Sequence, residues 1–319
     1  MSLKKVDLSI VIPMFNEVEV VGKLYDKLID SLNSLNKEYE IIFVNDGSTD
    51  NTLENLLKVK EKDKRVKIVN LMGNFGQTAA LSAGFDLASG DIIVSMDGDL
   101  QDDPTDILAL IEKFDEGYDI VSGWRKERKE NLFIRRIPSI VANKLLARIS
   151  GVNIHDFGAT MKAYRAEVIK NIKLYGDFHR FIPALAVDMR VKIGEVIIKN
   201  HKRPYGTSKY GFKRTFTVFF DLFRLKFLLG HLNKPLQIFG TVGLFLTFLG
   251  SVFFIYVFTK KLFLGTHIMV EHAPMFITSI FLVISGINFF TIGLLGELML
   301  RILYESKEKK NYYIRKIYE

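Results

Sequence analysis

The sequence predicts an α/β domain with a mostly parallel sheet, followed by a hairpin of two transmembrane helices. Short apolar, β-branched runs alternate with segments whose apolar residues recur at helical spacing, which is typical of a parallel α/β sheet. Polar residues rich in Asp, Asn and Gly follow these runs, at the strand ends where such sheets bind ligands. Two long uncharged segments lie in the last third of the chain.

Five strands are predicted before the middle of the chain, each from a short apolar run. They cover residues 8–15, 39–45, 66–72, 91–96 and 118–124. Apolar positions at helical spacing predict helices over 17–35 and 133–149, and a small-residue-rich helix over 75–88. Thr49 or Asp50 can cap the helix after the second strand, and Pro104 can open the helix after the fourth.

Composition excludes several classes of protein. The chain has 319 residues, no cysteine, 44 Lys and Arg against 36 Asp and Glu, and a net charge of +8. A chain with 48% apolar residues is not disordered. The absence of cysteine excludes disulfides, thiolate metal sites and a cysteine nucleophile. The glycine-rich fingerprints of dinucleotide-binding and P-loop folds are also absent.

The two uncharged segments, residues 236–258 and 275–296, each reach the ~20 residues that a membrane-spanning helix needs. The alternative is a pair of buried helices in a soluble protein, which rarely stay uncharged over this length. No signal peptide is expected before the first strand. We expect a cytoplasmic domain over 1–210, a juxtamembrane interfacial helix over 211–234, the spans within 235–300 and a basic cytoplasmic tail over 301–319.

Lys and Arg residues are concentrated before the first span and after the second, whereas the connection between the spans holds only Lys260 and Lys261. This bias predicts that both termini are cytoplasmic, in a multi-pass protein of the inner (plasma) membrane. A basic stretch beside a span favours anionic lipid headgroups as its partner over nucleic acid. We therefore expect no nucleic-acid binding.

The segment after the fourth strand, residues 97–101, carries the strongest chemical signal. Asp97 and Asp99 are separated by one small residue, and Gln101 adds a neutral oxygen. Mg²⁺ and Mn²⁺ prefer this oxygen set and usually share it with substrate phosphates. For Asp102 and Asp103 we expect helix capping instead.

The residues that follow two further strands can each be interpreted in two ways. Asp46 can be a turn residue that caps the next helix, or a carboxylate that accepts an N–H from a nucleobase. The small residues of 74–84 either allow a ligand to approach the backbone or serve tight packing of a helix on the sheet.

Several motifs in order make the resemblance to a family specific. The chain resembles family 2 glycosyltransferases of the GT-A fold, which have a Rossmann-like, mostly parallel sheet, and more narrowly the polyprenyl-phosphate glycosyltransferases. The motifs are 13–17 (PMFNE), 45–50 (NDGSTD), 74–76 (NFG), 97–104 (DGDLQDDP) and 203–210 (RPYGTSKY). Two positions depart from the mannose-synthase pattern: Asn45 precedes Asp46 where relatives have Asp-Asp, and Gln77 stands where many relatives have a basic residue.

The resemblance implies a role for each matched position on the donor side. Asp97, Asp99 and Gln101 would hold Mg²⁺ or Mn²⁺, with Asp99 counted as catalytic. The nucleotide and sugar would lie against Pro13, Phe15, Glu17, Val44, Asp46, Gly76, Asp97, Gly98, Arg203 and Lys209.

On the acceptor side, the resemblance implies that Arg125 faces the reacting groups and that the lipid phosphate is bound by Arg125, Arg135, Arg136 and Ser139. The alternative for the helix over 133–149 is an ordinary amphipathic helix with solvated arginines. Asp156 lies where the superfamily often places a catalytic base. A phosphate acceptor already carries charge and needs no base. We therefore expect Asp156, counted as catalytic together with Arg125, to organise the acceptor, sugar or cations, and His155 to be non-catalytic.

The implied reaction is a metal-dependent, inverting transfer of a sugar, best glucose from UDP-glucose, to undecaprenyl phosphate. GDP-mannose, UDP-N-acetylglucosamine or a modified UDP-pentose are alternative donors. A processive polysaccharide synthase and a membrane-anchored scaffold without turnover are alternative functions. The product would need a downstream flippase.

Glycines at 240, 243, 250, 286, 293 and 296 permit close packing of the spans. With the resemblance they predict a homo-oligomer, such as a tetramer. Glu297 is expected to pair with Arg301 at the membrane interface.

Overall fold

The computed structural model describes residues 6–126, 137–174, 176–201, 235–264, 272–305 and 310–319. The chain forms two compact units. The first comprises Met1–Leu222 together with Lys310–Glu319, and the second comprises Phe223–Lys309.

The first unit is built on an eight-stranded sheet. Its strands are β1 (Leu8–Met14), β2 (Tyr39–Asn45), β3 (Val66–Leu71), β4 (Ile92–Ser95), β5 (Ile120–Trp124), β6 (Lys162–Arg165), β7 (Ile193–Ile197) and β8 (Ile314–Tyr318). Its helices are α1 (Val21–Leu32), α2 (Thr52–Lys62), α3 (Gln77–Leu87), α4 (Asp106–Asp115), α5 (Ile137–Ser150), α6 (Ala166–Ile169) and α7 (Ile182–Leu185), with 3₁₀ turns at Phe178–Phe181 and Val187–Met189.

The strand order is β7-β5-β6-β4-β1-β2-β3-β8. β1 pairs in parallel with both β2 and β4, β2 pairs in parallel with β3, and β5 pairs in parallel with β7. β6 runs antiparallel between β4 and β5, and β8 runs antiparallel along β3. The five predicted strands are therefore present in one direction, and the mostly parallel sheet is confirmed.

Both faces of the sheet are covered, as a parallel sheet requires. On β1, Leu8, Ile10 and Ile12 pack with residues of α1, α2 and α4, whereas Val11 packs on the other face with the alanines of α3. This alternation follows from the two-residue period of a strand. The core thus lies in two layers, and the loops at the strand ends remain available for a site.

The last strand was not predicted. The sequence suggests a basic tail over 301–319, but Ile314–Tyr318 forms β8 at the edge of the sheet. Its register with β3 runs from Ile68 opposite Tyr318 to Leu71 opposite Ile314, with an irregularity between Asn70 and Leu71. The Lys and Arg residues that suggest a tail are acceptable on an edge strand, where charge hinders pairing with other chains.

The second unit consists of α8 (Pro235–Leu264) and α9 (Ala273–Glu305). Stretches of 29 and 27 residues within them are long and apolar enough to cross a membrane. Many large apolar side chains on both helices are exposed, including Phe248, Phe263 and Phe281. A buried helix pair of a soluble protein would enclose such side chains, so this pattern favours a membrane hairpin.

Glycines bring α8 and α9 close together within one chain. A Cβ atom added to Gly243 would lie 2.6 Å from the carbonyl oxygen of Gly286, and one added to Gly250 would lie 2.8 Å from that of Ser279. The expected close packing is therefore found inside the hairpin. Gly243, Gly250 and Gly286 consequently give no argument for contacts between chains, and the homo-oligomer stays a prediction.

Candidate active site

Four of the predicted site residues, Asp46, Asp97, Arg125 and Asp156, lie at one edge of the sheet. Asp46 follows β2, Asp97 follows β4 and Arg125 follows β5, and these three strands run in one direction. Because β6 is antiparallel, its first residue lies at the same edge, and Asp156 belongs to the loop that leads into it. This is the edge at which parallel α/β sheets bind ligands.

Asp46 holds the loop between β3 and α3. Its side chain is buried, and its two carboxylate oxygens accept the backbone N–H groups of Phe75 at 2.7 Å and Gly76 at 2.9 Å. Burial raises the pKa of Asp46, although the two N–H groups act in the opposite direction. The carboxylate of Asp50 accepts the N–H of Thr52, the first residue of α2, at 3.0 Å, whereas the N-cap of this helix is Asn51. Asp46 is therefore an organiser of the β3–α3 loop (residues 72–76).

Asn45, the residue before Asp46, has a structural function in the sheet. Asn45 is buried, and its side-chain amide donates to the side-chain oxygen of Asn70 on β3 at 2.9 Å. A carboxylate at position 45 could not donate this bond. Next along the chain, Gly47 has a φ of +66°, and a Cβ atom there would lie 2.6 Å from the backbone nitrogen of Asn74. Position 47 therefore needs glycine for the β3–α3 loop to pack against it.

The other residues expected to contact the nucleoside lie around this loop. Pro13 and Phe15 are half-buried at the end of β1, and the backbone N–H of Glu17 donates to the Thr52 hydroxyl at 2.9 Å. Gly76 has a φ of +90° with open space at its Cβ position. Val44 differs, because its side chain is fully buried among the apolar residues that pack on α3. Only main-chain atoms of Val44 remain for a ligand.

Carboxylates are concentrated after β4. Burial, followed by the charges of Asp99 and Asp102, raises the pKa of Asp97 to about 7. The Gln77 side-chain amide donates to Asp97 at 2.6 Å, and the backbone N–H of Gln101 donates to Asp99 at 3.1 Å. This segment turns tightly, since Leu100 has a φ of +59°. Gln77 is thus hydrogen-bonded to the acidic cluster.

These residues fit a divalent cation of the Mg²⁺ type. The atoms that would bind the cation include carboxylate oxygens, and a bound cation would relieve the repulsion between these carboxylates. No group of three or more His, Asp or Glu side chains in the described ranges could hold an ion by itself. Mg²⁺ sites commonly take a few carboxylates from the protein and complete their shell with water and substrate phosphates.

The expectation of helix capping is wrong for both Asp102 and Asp103, because the N-cap of α4 is Thr105. The Asp103 carboxylate accepts the N–H and the hydroxyl of Thr105, at 3.1 and 2.9 Å, and α4 begins at Asp106 rather than at Pro104. Asp102 is buried and accepts the hydroxyl of Thr160 at 2.9 Å. Its backbone pairs with Asn200, which holds it inside the cluster. Sequence spacing could not separate these adjacent residues, because this pairing partner is distant in the chain.

Arg125 and Asp156 form an ion pair with two contacts. Arg125 Nε lies 2.8 Å and Nη2 3.1 Å from the two oxygens of the buried Asp156 carboxylate. The backbone N–H of Gly158 donates to the same carboxylate at 3.1 Å. Burial opposes the charge of Arg125, but Asp156, Asp102 and Asp97 together raise its pKa. Both carboxylate oxygens of Asp156 are thus engaged by groups of the protein, and its function in the site stays a prediction.

Lys162 is a site residue that the sequence did not indicate. Its fully buried ammonium donates to the carbonyl oxygens of Phe157, at 3.1 Å, and Ala159. Burial lowers the pKa of Lys162 to about 8, although Asp156 acts in the opposite direction. Ser95 also donates to the carbonyl oxygen of Thr160 at 2.8 Å. The loop that carries Asp156 and Thr160 is therefore fixed from within.

His155 has a supporting contact rather than a position among the acidic residues. Its ring stacks on Trp124, with centroids 4.2 Å apart and planes 14° apart, and it contacts the Glu195 carboxylate of β7. The backbone N–H of His155 also donates to Glu195 at 2.8 Å. These contacts fix the residue that precedes Asp156.

Several predicted residues cannot be compared with the structure. Arg135, Arg136, Arg203 and Lys209 lie outside the described residues, as does the segment 211–234. Ser139 lies in α5, but its side chain is outside the described part of the chain.

The chain is similar to a known family and, over nearly its whole length, to named relatives. Residues 9–173 match the model of the family described as glycosyl transferase family 2. The chain is 41% identical over 321 residues to dodecaprenyl-phosphate galacturonate synthase of Rhizobium johnstonii, covering 99% of this chain and 94% of the relative. It is 34% identical over 312 residues to undecaprenyl-phosphate 4-deoxy-4-formamido-L-arabinose transferase of Shewanella sediminis, covering 97% and 92%.

Among solved structures, glucosyl-3-phosphoglycerate synthase from Mycobacterium tuberculosis is similar in fold. The TM-score is 0.52 at 19% identity, covering 70% of this chain and 80% of that one. The same enzyme in complex with Mn²⁺, UDP and glucosyl-3-phosphoglycerate gives a TM-score of 0.51 at 19% identity, covering 70% and 80%. These likenesses concern the fold alone, and they agree with the expected Rossmann-like GT-A architecture.

Proposed function

Since the chain belongs to glycosyl transferase family 2, we propose that it transfers a single sugar from a nucleotide sugar to polyprenyl phosphate in a membrane. The assignment of polyprenyl phosphate as the acceptor rests on similarity to relatives over the full length of the chain. The Rhizobium johnstonii relative, named for a dodecaprenyl phosphate, is matched over 99% of this chain, and that match includes the two apolar helices. A lipid acceptor requires a catalytic domain beside a membrane, which helices of this kind provide.

The donor in this proposal is a UDP-linked sugar. The sequence favours glucose, whereas the relatives are named for galacturonate and for 4-deoxy-4-formamido-L-arabinose. Their full-length similarity supports galacturonic acid ahead of glucose. A solved structure of similar fold contains UDP, which agrees with a uridine nucleotide.

The donor would bind between the end of β1 and the β3–α3 loop. Pro13, Phe15 and Glu17 would line one side of the nucleoside, and Gly76 the other, with Asp46 holding the loop in shape. Asp97, Asp99 and Gln101 would hold Mg²⁺ or Mn²⁺, which neutralises charge on the diphosphate. Gln77 orients Asp97 through its amide. Arg203 and Lys209 would meet the same diphosphate.

The acceptor needs no proton removed. A phosphate monoester carries about −1.5 to −2 charge near pH 7, so its oxygen can attack the anomeric carbon directly. The new carbon–oxygen bond forms as the bond to the diphosphate breaks, and the diphosphate leaves with the electron pair. Asp156 is therefore free to act as the partner of Arg125, whose guanidinium would face the attacking phosphate. Arg135, Arg136 and Ser139 would bind the lipid phosphate with it.

The proposed location of the protein is the inner membrane. Basic residues on both sides of the two helices support a cytoplasmic catalytic domain in the inner membrane. We also propose that the protein forms a homo-oligomer and that a separate flippase acts downstream on the lipid-linked product.

The test is a donor screen on the purified full-length protein. It uses Mn²⁺ or Mg²⁺, undecaprenyl phosphate and a panel of UDP-galacturonic acid, UDP-glucose, UDP-N-acetylglucosamine and GDP-mannose, with mass spectrometry of the lipid. One sugar on one lipid phosphate is expected, from a UDP donor. Release of nucleotide without glycolipid would reject the acceptor.

Matched variants test the metal ligands in the same assay. Asp97→Asn is expected to lose transfer because it removes a ligand charge from the acidic cluster. Asp103→Asn changes a neighbouring carboxylate that contacts Thr105 and His201, and it should keep transfer. Full activity of Asp97→Asn would show that the metal ligands are elsewhere.

A further inference from the structure

The C-terminal segment (residues 310–318) is attached to the catalytic domain by more than strand pairing. Tyr312 is buried among the apolar residues that pack on α3, and its hydroxyl donates to Asp86 at 2.6 Å. Lys310 lies 3.1 Å from the same carboxylate. Asn311 donates to the carbonyl oxygen of Leu174 at 2.8 Å. The segment is thus an ordered part of the first unit.

This segment holds the first residue of the β3–α3 loop through both backbone groups. The N–H of Met72 donates to the carbonyl oxygen of Tyr313 at 2.9 Å. The guanidinium of Arg315 donates to the carbonyl oxygen of Met72 at 3.2 Å. Backbone groups of a loop that are bonded in this way lose the freedom to change conformation.

The same segment contacts the tip of the loop. The rings of Tyr313 and Phe75 lie 5.9 Å apart, at an angle of 53°. The backbone N–H of Phe75 is the group that donates to Asp46 at 2.7 Å. The β3–α3 loop is therefore held on one side by Asp46 and Gly47, and on the other by the C-terminal segment. Two residues after Phe75, Gln77 reaches Asp97 of the acidic cluster.

We infer that the C-terminal segment is a structural part of the donor site, in which Tyr313 positions Phe75 and thereby the β3–α3 loop for the nucleoside. The inference rests on the proposed function, since that assigns the loop to the donor. Tyr313 is a positioning residue, because it acts through Phe75. Its loss affects nucleotide binding before it affects the chemical step.

The test measures binding of UDP in the presence of Mn²⁺ to the full-length protein and to Tyr313→Ala, by calorimetry. We expect the Kd of UDP to rise about three- to tenfold, which corresponds to the loss of one aromatic contact. Tyr313→Phe should restore binding, since the contact is between rings. In the transfer assay, KM for the donor should rise while kcat stays within about twofold, as for uniform binding.

Two variants separate positioning from a general loss of strand pairing. Tyr318→Ala makes the same substitution at the opposite end of β8, beside Ile68, and should bind UDP as the wild type does. Phe75→Ala should weaken binding as Tyr313→Ala does, and the double variant should be no weaker than either, because both remove one interaction. Phe75→Ala also serves as the test if Tyr313→Ala does not fold, because it leaves β8 unchanged.

The outcomes distinguish this inference from the proposed function. Wild-type affinity in folded Tyr313→Ala and Phe75→Ala would overturn the inference alone. Equal weakening in Tyr318→Ala would also overturn it, by showing a general effect of β8. A wild-type protein that binds neither UDP nor GDP would overturn the donor assignment, and the inference with it.

Discussion

Arg125 and Asp156 face each other through two hydrogen-bonded contacts, with Arg125 Nε 2.8 Å from Asp156 Oδ2. This pairing of a planar guanidinium with a carboxylate fixes the orientation of both groups. Asp102 and Asp97 also raise the pKa of Arg125, and they belong to the acidic cluster proposed to hold the metal. The pair therefore connects the proposed acceptor position to the proposed donor position.

Disrupting this pair should impair transfer through misplacement of Arg125. Asp156→Asn and Arg125→Lys are each expected to lower kcat/KM for the lipid acceptor about 100-fold, the size expected when a positioned group moves by about 1 Å. The double variant should be little worse than either single variant, because both break one pair. The measurement is a double-mutant cycle in the transfer assay.

A matched control is the ion pair between Arg165 and Asp119, at 3.0 Å, at the other end of β6. Asp119→Asn should leave kcat/KM within about twofold, as expected for a partly exposed pair. Additive losses in the Arg125 and Asp156 variants would instead assign them separate functions, with Asp156 as a base.

Binding of Mn²⁺ should depend on pH through Asp97. The pKa of Asp97 is raised to about 7, so below that pH the carboxyl is protonated and must lose a proton to become a ligand. We expect the affinity for Mn²⁺ to increase as pH rises, by up to about tenfold per unit below pH 7, and to level off above it. Calorimetric titrations between about pH 5.5 and 8 measure this profile.

The variant Asp102→Asn tests the cause of that profile. Removing the Asp102 charge removes one of the interactions that raise the pKa of Asp97, so the rise in affinity should shift to lower pH. Asp103→Asn should leave the profile unchanged. A flat profile in the wild type would show that Asp97 is not the titrating ligand.

The lowered pKa of Lys162 predicts that the stability of the folded protein increases at alkaline pH. Its folded-state pKa is about 8, below the ordinary 10.5, so between these values the unfolded chain binds more protons than the folded one. Stability contributed at this position therefore rises as pH increases from about 8 to 10.5. The difference in Tm between wild type and Lys162→Met should grow in favour of the wild type over this range. A constant difference would contradict a depressed pKa.

The close packing of α8 and α9 predicts that alanine is tolerated at Gly240 but not at Gly243. A Cβ atom at Gly243 would lie 2.6 Å from the backbone of Gly286, whereas at Gly240 the nearest atom would lie at 3.5 Å, a side-chain carbon. Gly243→Ala should destabilise the protein in detergent by about 1–3 kcal/mol, as overpacking does. Gly240→Ala should be close to neutral. Thermal unfolding of both variants measures this, and equal Tm values would argue against the close contact.

Much of the fold follows from local patterns in the sequence. β1 and β2 are short, apolar and nearly fully buried, and they are followed by polar turns, so their type and direction can be predicted. β6 and β8 could not be predicted in this way. They are short and carry charged residues, and their pairing depends on partners distant in the chain.

The same difference between local sequence signals and distant contacts applies to the residues of the site. Asp97 and Asp99 are indicated by position, since they follow directly after a strand. Lys162 gives no local signal, because its importance comes from the loop that folds over it. The sequence does mark Asp46 as a residue of interest, but both interpretations of it omit its bonds to Phe75 and Gly76, which lie about 30 positions away.

The position of β8 imposes an order on biosynthesis. During translation, the outer edge of β3 has no partner until residues 314–318 leave the ribosome, and these come after both apolar helices. An open strand edge is prone to pairing with other chains. A nascent chain that has inserted only its first helix therefore carries an incomplete sheet, and the β3–α3 loop lacks half of its support. Completion of the enzyme is in this way delayed until the whole hairpin has been made.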